Sequence, residues 1–115
     1  MRNDKENVIV DKSFQFALKV VSYCELLEEN RKFVISRQLL RSGTSIGANV
    51  REAQNAESKA DFIHKIKIAA KEAEETEYWL LICKHSYSAI PLNNLLEEVN
   101  ELIKILAKIV STSKS

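Results

Sequence analysis

Apolar residues return every three or four positions through the segment LLEEVNELIKILAKIV, and charged residues fill most of the positions between them. This period is that of one face of an α-helix. Pro91 precedes the segment and marks either a break or a first helical turn. The pattern predicts an amphipathic helix ending at about residue 110, with an apolar face made of Leu92, Leu95, Leu96, Val99, Leu102, Ile103, Leu106 and Ile109.

Three earlier segments carry the same period, at about residues 13–29, about 33–55, and from Ser58 to about residue 85. Asp11 or Ser13 is available to cap the first helix, and Ser58 followed by Asp61 resembles a capping box for the third. The predicted inner faces are Phe14, Ala17, Val20, Val21, Cys24 and Leu27 in the first, Ile35, Leu39, Ile46, Val50 and Ala53 in the second, and Phe62, Ile66, Ala69, Ala73, Leu80 and Cys83 in the third.

The connections between these segments, such as the turn at Asn30 and Arg31, are too short to do more than reverse the direction of the chain. A length of 115 residues suits one domain, and two glycines and one proline favour helices over sheets. The predicted fold is all-α, an antiparallel up-down four-helix bundle formed by residues 1–115, with residues 1–10 and 111–115 expected to fray.

Several function classes find no support in the sequence. The chain shows no signal-peptide pattern and no membrane span, so we expect a cytoplasmic protein. Cys24 and Cys83 lack metal-ligand spacing and are interpreted as buried thiols, with a redox pair as the alternative.

Catalytic and metal chemistry are also unsupported. One Asp61-x-x-His64 pair cannot build a dinuclear site, because His85 has Ile82 three positions before it in place of an acid. The glutamates at 72, 74, 75 and 77 point in different directions on a helix. We therefore predict no catalytic residue, no metal, no cofactor and no enzymatic activity.

Both glycines of the chain, Gly43 and Gly47, lie inside the second predicted helix, in RSGTSIGANVREA. Each costs roughly 1 kcal/mol relative to alanine in a helix interior, so a compensating role is needed. A phosphate-binding loop would need G-x-x-x-x-G-K-[ST] after a strand, which this spacing does not match. The glycines therefore predict a groove where another backbone approaches closely.

Basic residues concentrate on the same helix. Five occur between Arg31 and Arg51 with no acidic residue among them, and Arg37, Arg41 and Arg51 fall within roughly 80° of each other on a helical wheel, opposite the apolar face. They form either a solvated face or a surface that contacts phosphates. The candidate nucleic-acid-binding residues are Arg31, Lys32, Arg37, Arg41, Arg51, Lys59 and Lys65.

The third helix carries a second stripe of large side chains that points away from its inner face, made of His64, Ile68, Tyr78, Trp79 and Ile82. An exposed apolar patch of this kind is typical of an interface. Together with Gly43 and Gly47, the stripe predicts contacts between copies of the chain. The alternative is that twisting of the bundle buries part of it.

The segments ISRQLLRSGTSIGANVREA and SKADFIHKIKIAAKEAEETEYWLLI resemble the bacterial four helix bundle protein family, also called large-subunit ribosomal RNA intervening-sequence proteins. The accessory variability proteins of diversity-generating retroelements are relatives of that family. The resemblance covers roughly residues 14–110 and implies an up-down bundle that assembles into a ring-like homopentamer and is suspected of binding nucleic acid. Where members commonly continue with Ala-Glu-Gly, this chain has Arg51, Glu52 and Ala53.

Two functions are predicted from these patterns. The first is a non-catalytic oligomer that binds RNA or DNA, with the basic surface repeated around a ring. The second is a homo-oligomeric scaffold for a protein partner, such as a reverse transcriptase or a ribosome-associated protein, in which the arginines pair with acidic residues of a neighbouring subunit.

Overall fold

The computed structural model describes residues 4–114, with side chains from residue 8 onward. Four helices account for the regular structure in this range: α1 (Asp4–Glu29), α2 (Phe33–Ala53), α3 (Lys59–Ser86) and α4 (Leu95–Lys114). Each packs against its two neighbours in a closed square, α1 on α2, α2 on α3, α3 on α4 and α4 on α1. The prediction of an antiparallel four-helix bundle is confirmed.

The predicted inner faces of α2, α3 and α4 form most of the core. Every predicted inner residue of α2 is buried, and so are those of α3 except Phe62, which is half-buried. In α4 the buried residues are Leu95, Val99, Leu102, Leu106 and Ile109, and the remaining members of the predicted stripe pack against them from its edges. A single apolar cluster therefore joins all four helices.

The predicted inner face of α1 is partly wrong. Phe14 is 49% exposed and Val21 is 39% exposed, whereas Ile9, Phe16 and Tyr23 are buried beside the correctly predicted Val20, Cys24 and Leu27. Helix α1 is apolar on two sides, so periodicity alone allows either side to face inward. The structure turns the side with Phe16 toward the core and leaves the side with Phe14 at the surface.

Several helix boundaries also differ from prediction. Helix α1 begins at Asp4, so neither Asp11 nor Ser13 caps it; Ser13 is instead a buried residue whose hydroxyl donates to the carbonyl oxygen of Val10 at 3.2 Å. Pro91 lies in the connection before α4, and it therefore marks a break. Fraying of residues 1–10 and 111–115 stays a prediction, and residues 1–3 and 115 lie outside the described residues.

The predicted cap of α3 is confirmed. The Ser58 hydroxyl oxygen accepts a hydrogen bond from the backbone N–H of Asp61 at 3.0 Å. The Asp61 carboxylate accepts in turn from the backbone N–H of Glu57 at 3.2 Å. The predicted turn before α2 is also present, and Arg31 there adopts a left-handed conformation with φ of 64°. These two turns set where α2 and α3 begin. The two helices carry most of the predicted functional residues.

Candidate nucleic-acid interface

Arg41 lies at the centre of the contact between α2 and α3. Its guanidinium pairs with Glu72 at 3.4 Å and with Glu75, whose carboxylate also accepts a hydrogen bond from the Trp79 indole N–H at 3.2 Å. The hydrogen bond from Arg41 is the main cause that lowers the pKa of Glu75, and the bond from Trp79 acts in the same direction. The Arg41 guanidinium, the Glu72 and Glu75 carboxylates and the Trp79 indole N–H thus all find partners within one chain.

Two further contacts join the same helices. Lys65 of α3 pairs with Glu52 of α2 at 3.1 Å. Ser42, the residue after Arg41, is buried, and its hydroxyl is hydrogen-bonded to the buried hydroxyl of Thr76 at 2.9 Å. We call this set of contacts between α2 and α3, made by Arg41, Ser42, Glu52, Lys65, Glu72, Glu75, Thr76 and Trp79, the α2–α3 seam.

The α2–α3 seam changes the interpretation of two predicted phosphate-binding residues. Arg41 and Lys65 were predicted to contact nucleic acid, but their charges are engaged by carboxylates of the same chain. The scaffold hypothesis paired the arginines with acidic residues of a neighbouring subunit, and for Arg41 the acidic partners belong to its own subunit. Both cations form ion pairs that link α2 to α3 at this seam.

The other predicted basic residues remain exposed or half-buried and are spread out. Lys32 places its ammonium 4.9 Å from the ring centroid of Tyr87, in a cation–π contact. Arg37 and Arg51 are exposed and form no ion pair within the described part of the chain. They are fourteen residues apart on α2, or about 21 Å along its axis. Arg31 lies in the turn before α2 and Lys59 at the start of α3.

The two glycines lie where α1 and α2 meet. A Cβ atom added at Gly43 would be 2.8 Å from Val20 Cγ1, and one added at Gly47 would be 3.4 Å from the backbone oxygen of Ser13. The predicted close approach of another backbone is therefore present, and the backbone is that of α1 in the same chain. The further expectation that the glycines contact a second copy stays a prediction.

The outward stripe on α3 contains both exposed and half-buried residues, whereas the sequence predicted that it points away from the core. Tyr78 is 59% exposed and His64 is exposed, but Trp79 and Ile82 are half-buried and pack against the core. Ile68 is half-buried at the same flank. The rings of Tyr78 and Trp79 meet edge to face, with centroids 5.3 Å apart. Twisting of the bundle thus covers part of the stripe, and its role between copies remains a prediction.

Sequence reasoning missed an apolar surface on α1. Phe14, Leu18 and Val21 are between 39% and 49% exposed, and their spacing of four and three residues places them on one side of the helix. The exposed side chain of Phe33 begins the adjacent helix α2. The signal was present in the sequence as a second apolar side of α1, but it was assigned to the core.

Sequence reasoning also missed a set of lysines on α3 and α4. Lys67 and Lys71 are four residues apart on α3, and Lys104 and Lys108 are four residues apart on α4, so each pair shares one side of its helix. All four are exposed, as is Lys114 in the last turn of α4. The spacing of four within each pair was visible in the sequence, and α3 packs against α4 in the bundle. We call Lys67, Lys71, Lys104, Lys108 and Lys114 the lysine face.

The two cysteines of the core are suited to packing rather than to a reactive role. Cys24 and Cys83 are buried and form no disulfide, and burial raises the pKa of Cys24 to about 11 and raises that of Cys83 as well. A raised pKa keeps the thiol protonated and unreactive. Within residues 4–114, no three His, Cys, Asp or Glu side chains are grouped as metal ligands would be. None of the described helices has both the length and the apolar character to cross a membrane.

Comparison with known proteins gives two findings. Residues 5–108 match the model of the 23S rRNA-intervening sequence protein family. The fold is similar to a crystal structure from Bacteroides thetaiotaomicron, described as a protein of unknown function from the S23 ribosomal protein family, with 47% sequence identity and a TM-score of 0.86. The alignment covers 93% of this chain and 98% of that one. No curated protein matches the sequence.

Proposed function

The chain belongs to the 23S rRNA-intervening sequence protein family, and from this membership and its exposed charges we propose that it is a non-catalytic oligomer that binds nucleic acid, with RNA as the preferred form. Neither the family's description nor that of the Bacteroides protein mentions an enzymatic activity. We place the protein in the cytoplasm.

The observation that carries the proposal is the division of the basic residues into two groups. Within the described range, only Lys12, Lys19, Arg41 and Lys65 form ion pairs with carboxylates. The other lysines and arginines between residues 8 and 114 form no ion pair with a carboxylate of that range. Unpaired surface cations attract the phosphates of a nucleic acid and release its counterions, which supplies most non-specific affinity. A net charge of +1 for the whole chain conceals this local excess.

Self-association multiplies the effect of a modest charge. The exposed apolar side chains of α1, with Phe33 on α2 and Tyr78 on α3, supply surface that a second copy can cover. Repeating one basic surface around a ring converts weak single contacts into simultaneous ones. We propose a homopentamer, as the family resemblance implies, with Tyr78 and the α1 residues Phe14, Leu18 and Val21 at contacts between copies.

Two measurements test the proposal. Light scattering coupled to size exclusion should give a mass several times that of the 13.1 kDa chain. Fluorescence anisotropy with a labelled single-stranded RNA should show affinity that falls steeply with salt, because each phosphate contact contributes about −0.7 to the slope of log K against log salt. RNA affinity that is undetectable in low salt would refute nucleic-acid binding.

A homo-oligomeric scaffold for a protein partner is the second candidate. It is favoured by an open groove of about 500 Å³ between α1 and the start of α4, lined partly by Leu18, Leu26 and Leu92. This groove lies where the bundle is most sparsely packed. The scaffold requires that purified protein binds a partner polypeptide at a defined ratio while RNA binding stays at background. A Leu18→Glu variant that keeps its partner would count against the groove.

A further inference from the structure

The connection between α3 and α4 forms one side of an open cavity of about 350 Å³, and the first turn of α4 forms the other. Pockets that hold small ligands have about this volume, roughly 300–1,000 Å³. We call it the connection cavity, and the residues that line it include Lys84, Tyr87, Ser88, Asn93, Leu96 and Glu97.

Hydrogen bonds hold the connection in place. The backbone N–H of Ile90 donates to the carbonyl oxygen of Tyr87 at 2.9 Å, and the Tyr23 hydroxyl of α1 donates to the carbonyl oxygen of Ile90 at 3.1 Å. The Ile90 side chain is buried in the core. Closer to α4, the backbone N–H of Leu95 donates to the carbonyl oxygen of Leu92 at 3.2 Å. The cavity is therefore preformed, and a ligand does not have to order the connection when it binds.

One aromatic ring and two cations lie at the connection cavity. Tyr87 is half-buried and lines it, and the Lys32 ammonium lies 4.9 Å from the centroid of the Tyr87 ring without lining the cavity itself. Lys84, in the last turn of α3, is exposed and lines the cavity. Neither lysine forms an ion pair with a carboxylate between residues 8 and 114. The cavity thus combines an aromatic side chain with positive charge that is available to a ligand.

Polar side chains complete the lining. Ser88 supplies a hydroxyl and Asn93 an amide, and each of these groups both donates and accepts hydrogen bonds. Glu97 supplies a carboxylate, which accepts hydrogen bonds from the amino group of a base such as cytosine. The same carboxylate repels a phosphate. The interior therefore suits an uncharged base, whereas the lysines suit the phosphates on either side of it.

This combination is typical of proteins that bind single strands, in which bases stack on aromatic side chains and basic residues follow the backbone. A base inside a duplex is paired and stacked, so it cannot enter such a cavity. From this arrangement we propose that the connection cavity takes one unpaired base of an RNA strand, which stacks on Tyr87 while Lys84 and Lys32 contact the adjacent phosphates. The inference rests on the proposed function and specifies both a site and the form of RNA that it binds.

Tyr87→Leu tests the inference, because leucine removes the aromatic ring but can still pack against the core as Tyr87 does. Tyr78→Leu is the matched control, since Tyr78 is an exposed tyrosine of α3 that does not line the cavity. Tyr87→Phe keeps the ring and should bind as the wild type does. Circular dichroism and a thermal melt show whether each variant folds. Fluorescence anisotropy then measures affinity for a labelled 20-nucleotide RNA, both single-stranded and annealed to its complement.

The wild type should bind the single strand about tenfold more tightly than the duplex, and Tyr87→Leu should lose about tenfold for the single strand, as is typical when one base loses an aromatic stacking partner. Its affinity for the duplex should not change, and Tyr78→Leu should change neither affinity. Equal wild-type affinities for the two forms, a Tyr87→Leu loss equal for both forms, or equal losses in the two leucine variants would overturn the cavity site and leave nucleic-acid binding intact. No binding of either form by the wild type would overturn the proposed function as well.

Lys84→Gln tests the same site at an exposed position, so its result does not depend on how Tyr87 packs. It should lower the affinity for the single strand and reduce the slope of log K against log salt by about 0.7, the contribution of one phosphate contact. Lys59→Gln removes the same charge at the other end of α3 and should leave the slope unchanged. A slope that falls equally in both variants, or in neither, would contradict the phosphate contact at Lys84.

Uridine monophosphate separates an RNA strand from a free nucleotide. It should compete with the labelled single strand only weakly, because one base and one phosphate make few contacts at once. Competition as strong as that of the unlabelled 20-nucleotide RNA would assign the connection cavity to a free nucleotide and refute its assignment to a strand.

Discussion

The α2–α3 seam and the lysine face carry the same kind of charge in different surroundings. In the seam, Arg41 faces two glutamates across the helix contact, and Lys65 faces a third. On the lysine face, Lys67 meets another lysine. The difference teaches that basic residues of one chain can be engaged by its own carboxylates in one region and left without an ion pair in another. The first set joins α2 to α3, whereas we propose that the second is available to a partner.

Alkaline unfolding sets the pH limit within which the two regions can be compared. Burial raises the pKa of Cys24 from 9.0 to about 11, and burial also raises the pKa values of Tyr23 and Cys83. The unfolded chain loses these protons first, so stability is complete below pH 9 and falls as the pH rises. For Cys24 alone the loss by pH 11 corresponds to about 2 kcal/mol.

Urea titrations at several pH values between 8 and 10.5, with reductant present, measure this loss. A Cys24→Ala variant is less stable at neutral pH but should show a shallower decline. A free energy of unfolding that stays constant over the whole range would show that these groups titrate as they do in the unfolded chain.

Gly43→Ala tests whether the packing of α2 on α1 is as close as the structure indicates. The added methyl group would lie 2.8 Å from a Cγ atom of Val20, a buried β-branched residue with little freedom to rotate. Overpacking costs about 1–3 kcal/mol, and better helix propensity recovers up to about 1 kcal/mol. We expect a net loss of about 1–2 kcal/mol in a urea titration.

Gly47→Ala is the matched control, because its Cβ atom would be at an ordinary contact distance of 3.4 Å from Ser13. It should be neutral or stabilising. Adding Val20→Ala to the first variant should make the cost of the extra methyl group at Gly43 disappear. If the two glycine variants behave alike, the α1–α2 contact is looser than described.

Arg41→Gln breaks the centre of the α2–α3 seam and has a smaller effect. The pair is half-exposed, and such pairs contribute up to about 1 kcal/mol. Because the pKa of Glu75 is lowered in the folded chain, this contribution is present at neutral pH and is lost as the pH falls below 4.5. Urea titrations at pH 7 and in acid should show the difference from wild type shrinking.

Arg37→Gln is the control for the seam, since Arg37 forms no ion pair in the described chain. Its stability should equal that of the wild type at both pH values. A large loss of RNA affinity in Arg41→Gln, without a loss of stability, would reverse the roles given to the two regions.

Proton uptake gives the smallest signal and concerns the lysine face alone. Phosphates bound beside Lys67 should raise its lowered pKa, so RNA binding in alkaline buffer takes up a fraction of a proton. Calorimetry in two buffers of different ionisation enthalpy measures that fraction. The uptake should vanish in Lys67→Gln and persist in Arg37→Gln, and its persistence in the first variant would place the titrating group elsewhere.

The fold was predictable because apolar residues repeat at helical spacing in all four segments, and α4 shows this most clearly in Leu95, Val99 and Leu102. Helix α1 was predicted less well because two of its sides are apolar. The candidate site was harder still. The exposure of Arg41 follows from the helical wheel. The position of Glu75 opposite Arg41 depends on the register of α2 against α3, and core packing sets that register. The contact between Lys67 and Lys114 likewise depends on the register of α3 and α4.

Lysine footprinting tests most directly whether the two regions differ as described. The protein is acetylated with and without saturating RNA, and the modification of each lysine is measured by mass spectrometry. RNA should protect Lys67, Lys71, Lys104, Lys108 and Lys114 and leave Lys12, Lys19 and Lys65, which are paired in the structure, unchanged. Equal protection of all lysines, or protection confined to Lys32 and Lys59 beside α2, would contradict the account.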